Sequence, residues 1–294
     1  MGFECYHPGI NLLFFLCVIP AAVVLKQPVF LLISFLCAFA YSVRRGKRRT
    51  LIFDLCLIPL VLLFTWYYVS FHHFGMTVLW KNFIGNNMTL EAFLRGLTIG
   101  LSAASVLMWL SCLFSVFTAD KVVYLFGRIS PRLSLFLSVL LRMCPRIKAQ
   151  AKKIGVARRG IGRGVGQGNL FRRIANACRI FSMLISWLIE AMATISDSMK
   201  SRGYLLRGRT AFSIYRFDNR DRGFVVALFS CLTVVIMGML LGQTGIRFDP
   251  RIHMNPITPL SALFYLSYAV LCLLPLGAEV LGECRFERLK KRTA

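Results

Sequence analysis

Acidic residues are scarce in this chain: 12 Asp and Glu stand against 36 Lys and Arg in 294 residues. Charged residues of both signs make up 16% of the total, against roughly 25% in an ordinary soluble domain. The hydrophobic share of 57% excludes disorder, which needs low hydrophobicity. The ten cysteines include no C-x-x-C pair and six of them fall inside apolar runs, so neither a zinc site nor a disulfide framework is indicated. They read as small apolar packing residues. His7, His72, His73 and His253 show no metal-ligand spacing along a helix, and neither H-E-x-x-H nor a nucleophile elbow is present. The one Gly-Lys pair, Gly46-Lys47, is followed by Arg48 in place of Ser or Thr, so the chain carries no phosphate loop. Enzyme chemistry is unsupported, and no cofactor or metal is expected on this chain.

What is abundant is apolar sequence in separated runs that approach or exceed the ~20 residues needed to cross a hydrocarbon core. Six are read as helices: Ile10 to Leu25, Pro28 to Val43, Leu51 to Phe71, Ala92 to Phe117, Phe224 to Leu241 and Leu260 to Leu281. The expected fold is all-α, a polytopic membrane protein with about six transmembrane helices. The first two runs are short and joined through Lys26-Gln27-Pro28, which leaves open two full spans or a shallow hairpin. The N-terminus, MGFECYHPG, lacks the positive region of a cleaved signal peptide and is read as mature protein.

With both termini placed in the cytoplasm, 31 of the 36 Lys and Arg fall on that side, in residues 44–50, residues 119–222 and the tail after Gly282. Lys26, Lys81, Arg247 and Arg251 fall outside, and Arg95 sits at a boundary. This asymmetry satisfies the positive-inside rule. Seven Arg-Gly dipeptides would suggest RNA in a soluble tail, but here they are dispersed among spans and helices without a series of stacking aromatics. The lipid bilayer with its anionic headgroups is the expected partner of the basic charge, and nucleic acid is not.

Three regions follow: N-terminal transmembrane helices over 1–118, a cytoplasmic segment over 119–222, and C-terminal transmembrane helices with a basic tail over 223–294. The middle segment is too long and too patterned for a simple connection. Apolar or small residues recur at Leu133, Leu137, Leu140, Cys144, Ile147, Ala151 and Ile154, in alternating steps of four and three that mark one helical stripe. Ser130-Pro131 supplies an N-cap followed by proline at the first helical position, and Pro145 is expected to kink the helix. A second stripe runs Ile174, Cys178, Phe181, Ile185, Leu188, Met192, Ile195 and Met199. The glycine-rich stretch Gly160 to Gly168 separates them. Two long amphipathic helices are expected, packed as a hairpin, against another subunit, or along the membrane surface.

Both stripes end alike. The first finishes at Arg158-Arg159-Gly160 and the second at Ser201-Arg202-Gly203, placing a cation in the last helical turn and a glycine where the chain must leave the helix in a left-handed conformation. One reading is two well-formed C-caps. The other is a pair of protruding tips whose arginines form charge-assisted hydrogen bonds with a partner.

In these features the chain resembles the transmembrane T component of energy-coupling factor (ECF) vitamin and metal transporters, the EcfT- or CbiQ-like permease subunits. The resemblance runs from His7-Pro8 through Thr118-Ala119-Asp120, Pro131-Arg132-Leu133-Ser134 and Arg142-Met143-Cys144-Pro145. It continues through Met199-Lys200-Ser201-Arg202-Gly203-Tyr204 to Arg209-Thr210. Its specific part is the pair of Arg-Gly tips, Gly160 and Gly203 lying 43 residues apart. The family pattern is Ala-Arg-Gly at both tips, and here Arg158 and Ser201 stand at the alanine positions. The resemblance implies that Arg158, Arg159, Gly160, Ser201, Arg202 and Gly203 form tips docking into two ABC ATPase subunits. Arg159 is favoured over Arg158 for the deeper contact, because it directly precedes the glycine as Arg202 does. A small membrane-embedded substrate-binding S component and a prokaryotic cell membrane are implied as well, with ATP and magnesium held by the ATPases.

Other readings remain beside this one. A basic scaffold on anionic lipid would need no ATPase partner, and a secondary transporter would need ligands near the bilayer midplane, where Pro59 and Gly100 have no convergent polar set around them. Among the acids near spans (Glu4, Asp54, Glu91, Glu279 and Glu283), Asp54 is expected to pair with an arginine of residues 44–49 in preference to relaying protons. Glu190 is expected either to pair with a cation of the crossing helix or to face water.

Overall fold

The long apolar runs become helices because no other spanning structure satisfies its own backbone in lipid. A computed structural model describes residues 2–45, 48–72, 75–81, 87–204, 215, 217–247, 253–254 and 258–293. Gly46-Lys47, His73, Arg209-Thr210 and Arg251 lie outside the described residues, as do the side chains of Arg48, Arg49 and His253. The chain divides into two units, Met1–Thr118 with Tyr215–Ala294, and Ala119–Ile214.

The first unit holds α1 (Pro8–Val24), α2 (Pro28–Arg45), α3 (Arg48–Phe71) and α4 (Leu90–Val116). Two further helices, α8 (Asn219–Leu240) and α9 (Pro259–Thr293), return to it after the second unit. Short antiparallel hairpins, Val78–Lys81 with Asn87–Thr89 and Ile246–Arg247 with His253–Met254, precede α4 and α9. Helix starts follow local chemistry. His7 Nδ1 accepts the Gly9 amide at 3.1 Å, with Pro8 at the first helical position, and Thr89 Oγ1 accepts the Ala92 amide at 3.4 Å.

α4 packs on α1, α2 and α3, while α9 packs on α2 and α8. Aromatic rings fill the middle. Phe3, Phe14, Phe15, Tyr41, Trp109 and Phe224 are all buried. Phe14 meets Trp109 edge-on at 5.8 Å, Phe3 lies 5.4 Å from Phe224, and the Trp109 indole donates to Ser34 Oγ at 3.0 Å. Glycines let helices approach closely: a Cβ on Gly238 would lie 2.9 Å from the Phe264 ring, and one on Gly96 3.1 Å from Tyr68. Interhelical hydroxyl bonds join Ser102 to the Ala22 carbonyl at 2.9 Å and Ser267 to the Cys231 carbonyl at 3.1 Å.

The outside is the apolar side. Leu62, Leu63 and Trp66 of α3 are exposed, whereas Asn11, Ser34, Ser42, Thr65 and Ser105 are buried. A water-soluble bundle has the opposite distribution, and a lipid-facing one has this. The chain is a multi-pass, all-α membrane protein. Among the described residues six helices are long and apolar enough to cross a bilayer: α2, α3, α4, α8 and α9, and also α7 (Leu170–Ser201) of the second unit. The first two runs, which could be two full spans or a shallow hairpin, differ in length. The first run forms α1, whose 17 residues reach about 25 Å at 1.5 Å per residue, short of a ~30 Å hydrocarbon core. α7 meets the same measure of length and composition, because its apolar residues spread beyond the stripe to Leu184, Trp187 and Ile189.

Five acids of the first unit, Glu4, Asp54, Glu91, Glu279 and Glu283, have partners close by. Arg45 pairs with Glu4 and, at 3.7 Å, with Glu279, and Arg44 pairs with Glu283, joining the N-terminal turn, α2 and α9. Glu91 accepts the Thr77 hydroxyl at 2.7 Å. Asp54, fully buried, accepts from the Ser42 hydroxyl and not from Arg44 or Arg45. Arg44 and Arg45 are drawn to the glutamates, and the bond from Ser42 joins α2 to α3; of the arginines expected to pair with Asp54, the side chains of Arg48 and Arg49 lie outside the described residues.

Candidate functional site

The second unit is built from α5 (Ala119–Ile129), α6 (Pro131–Gly160) and α7. α5 lies close against the start of α6: Ser134 Oγ donates to the Val123 carbonyl at 3.2 Å, and a Cβ on Gly127 would sit 3.0 Å from Ser134 Oγ. Ser130 occupies the N-cap of α6 with Pro131 following, but its side chain makes no capping bond; its carbonyl accepts the Ser134 amide at 3.1 Å. The helix continues through Pro145 to Gly160.

The inward side of α6 overlaps the apolar stripe in part, since Leu137, Ile147, Ala151 and Ile154 are half-buried. Leu133, Leu140 and Cys144 are exposed, while Met143 is 2% exposed and Leu135 and Val139 are half-buried. α7 has no buried residue, and Ile174, Phe181 and Ile185 of its stripe stand exposed. Glu190 faces outward.

Both long helices close with a Schellman motif, in which paired amides satisfy the last carbonyls around a left-handed glycine. In α7 the glycine is Gly203, at φ +75°: its amide bonds the Lys200 carbonyl at 3.0 Å and the Tyr204 amide bonds Met199 at 3.2 Å. In α6 it is Gly162, at φ +71°, with Gly162 to Arg159 at 3.1 Å and Arg163 to Arg158 at 2.9 Å. Gly160, the expected left-handed residue, is still helical. The two tips are thus out of register. With their left-handed glycines aligned, Arg159 corresponds to Lys200, and Ile161 falls where Arg202 stands.

The six site residues separate accordingly. Arg158 is 7% exposed, with Nε 3.5 Å from the Arg163 carbonyl and a terminal nitrogen 3.8 Å from Met183 Sδ, so it is folded onto α7. Arg159 is exposed beside Gly164, where an added Cβ would lie 2.5 Å from its Cγ. The turn between the helices is held by the Gly164 amide on Gln167 Oε1 at 2.9 Å and by Asn176 on the Gly164 carbonyl at 3.2 Å. Ser201 is exposed and donates to the Ser198 carbonyl at 2.9 Å. Arg202 is exposed and also lines a cavity of about 630 Å³ between α5, α6 and α7, together with Arg142 and Arg146. Sequence reasoning missed that cavity. Its signal was a polar row four residues apart, running beside the apolar stripe.

Of the histidines, His7 caps α1 and His72 stacks on Tyr68 at 4.1 Å. No group of three or more His, Cys, Asp or Glu is placed to hold a metal among the described residues.

A polytopic membrane protein with a separate basic helical unit is the class these features define. No family model matches the chain. Over 90 residues it is 35% identical to the energy-coupling factor transporter transmembrane protein EcfT 1 of Listeria monocytogenes serotype 1/2a (strain 08-5578). The match takes in 30% of this chain and about a third (34%) of the length of that relative.

Proposed function

We propose that this chain is the transmembrane coupling subunit of an ECF-type ABC importer for a vitamin or transition-metal ion. The observation that carries this reading is the pair of Schellman-capped tips, which end two helices of 30 and 32 residues on basic side chains, Arg159 and Arg202. The partial similarity to the Listeria EcfT protein supports it. Two ABC ATPase subunits, which bind ATP and magnesium, would dock on the tips, and a small membrane-embedded S component would bind the substrate. ATP-driven closure of the ATPases moves the tips, and helices about 45–48 Å long carry that displacement along the second unit. The chain itself is non-catalytic in this scheme. The basic bias of residues 44–50, 119–222 and the C-terminal tail supports termini in the cytoplasm of a prokaryotic cell.

The test is charge reversal at both tips, R159E with R202E, in the full chain extracted in mild detergent. Membrane insertion is expected to persist while co-purifying ABC ATPase falls by about tenfold or more, as when paired interfacial charges are inverted. Unchanged ATPase recovery together with unchanged uptake rejects the tips as the coupling sites. A scaffold bound to anionic lipid is the second reading, favoured by the unburied apolar faces of α7. It requires that no nucleotide-binding chain accompany the wild-type protein, which mass spectrometry of the intact complex decides.

A further inference from the structure

We propose that the cavity of the second unit binds a phosphate group, carried by an anionic phospholipid whose headgroup enters between α6 and α7. Ser134, Ser138, Arg142 and Arg146 follow one another at four-residue steps along α6 and all line this cavity. Along α7 and its C-cap the same order recurs in Thr194, Ser198 and Arg202, again four apart and again on the cavity wall. Four-residue spacing keeps each row on one helix face, so two hydroxyl-then-arginine rows border one space.

The chemistry of that wall is one-sided. It includes three guanidinium groups and no carboxylate, and none of the three is ion-paired among the described residues. Asp197, one residue from the α7 row, points its charge to Lys200 at 3.4 Å. Ser134 and Thr194 spend their protons on the carbonyls of Val123 and Glu190, which leaves Ser138 and Ser198 as hydroxyls without a bonded partner among the described residues. Planar, multiply donating guanidinium groups with adjacent hydroxyls suit a tetrahedral oxyanion. Like charges gathered with no counter-charge call for an anion between them.

The source of the phosphate follows from the remaining wall. Leu135, Val139, Met143 and Ile195 line the same space, giving an apolar surface continuous with the polar one. α7 carries unburied apolar residues along its length, among them Ile174, Phe181, Ile185 and Ile189. A ligand with a charged head and an apolar stem uses both surfaces, whereas a soluble phosphate uses the polar one alone. Arg202 is shared with the proposed coupling tip, whereas Arg142 and Arg146 belong to neither tip, so the test is made on those two.

The test is native mass spectrometry of the full chain in detergent, titrated with phosphatidylglycerol, beside calorimetry with inorganic phosphate in phosphate-free buffer. R142Q/R146Q is expected to weaken the first-bound lipid by about tenfold for each guanidinium removed. R142K/R146K, which keeps the charge and loses the planar fork, is expected to fall between, and stands in should the glutamine pair fail to fold. R172Q/R173Q/R179Q removes more charge from exposed positions of α7 and is expected to leave the first-bound lipid unchanged, which separates a site from a merely basic surface. Phosphate binding that R142Q/R146Q abolishes, with lipid unaffected, keeps the site and moves its source to solution. Equal losses in the pocket and control variants, or no loss of either ligand, overturn it. So does loss of ATPase co-purification alone, which would assign the cavity to an acidic protein segment. ATPase recovery in R142Q/R146Q is read alongside, so that failure here and failure of the coupling assignment give different patterns.

Discussion

The Arg163 backbone amide reaches the Arg158 carbonyl across 2.9 Å, and this bond closes α6 two residues beyond the Arg-Gly dipeptide. Gly162, enclosed by that bond, takes φ +71°, a conformation in which a Cβ meets the following carbonyl oxygen. Gly160 sits inside the last helical turn with nothing near a Cβ position. G162A is therefore expected to destabilise the tip by about 1 kcal/mol, and G160A to leave it unchanged or more stable by about 0.5 kcal/mol, since alanine is the better helix former. Hydrogen exchange of the Gly162 and Arg163 amides reads the difference. Faster exchange in G160A than in G162A contradicts the assignment.

The neighbouring arginines of the first tip do different work. Arg158 is turned onto Met183 and the Arg163 carbonyl, while Arg159 is exposed. R158E would set a carboxylate against a carbonyl oxygen and a thioether, and is expected to lower unfolding stability by about 1–3 kcal/mol. R159E, at a surface position, is expected to stay within about 0.5 kcal/mol of wild type. Thermal unfolding in detergent measures both. Equal destabilisation would mean that Arg159 is also held in place by the fold.

The helices were legible wherever apolar residues ran unbroken, because in lipid a long apolar run has one backbone solution. The tips were legible as ends and not in register: Gly160-Ile161-Gly162 offers two glycines, and which one turns left-handed depends on amides that bond back across the cap. The inward face of α6 was legible only in part for a related reason, with Leu137, Ile147, Ala151 and Ile154 half-buried and the rest of the stripe exposed. The stripe through Leu133, Leu140 and Cys144 is regular, but Met143 is the residue that α5 and α7 leave buried, and that choice is made by packing between elements distant in sequence. The arginine-lined cavity escaped because only a polar periodicity announces it, and a search keyed to apolar residues passes over Ser134, Ser138 and Arg142.

Close approach between α8 and α9 rests on Gly238, where an added Cβ would meet the Phe264 ring at 2.9 Å. Phe264 is 5% exposed, so its ring has little room to withdraw. G238A is expected to destabilise the first unit by about 1–3 kcal/mol, the usual range for overpacking. G277A, in α9 with open space at its Cβ position, is the matched control and is expected to be neutral or slightly stabilising. Unfolding of detergent-purified protein followed by tryptophan fluorescence compares them, and equal effects would show that the two helices are not held at this distance.

Ser42 and Asp54 join α2 to α3 through a buried hydrogen bond, and the second carboxylate oxygen of Asp54 has no bonded partner among the described residues. S42A removes the donor from a buried acceptor and is expected to lower stability by about 1–3 kcal/mol, whereas replacing both groups by apolar ones removes the need for the bond. The double variant S42A/D54L should therefore be more stable than the sum of its single changes predicts, with a coupling of at least about 0.5 kcal/mol. Arg44 and Arg45 are engaged by glutamates, so R44Q and R45Q should each combine with D54L additively, within about 0.5 kcal/mol. Additivity of the Ser42 pair together with coupling to either arginine would return Asp54 to an ion pair and remove the hydroxyl bridge between the helices.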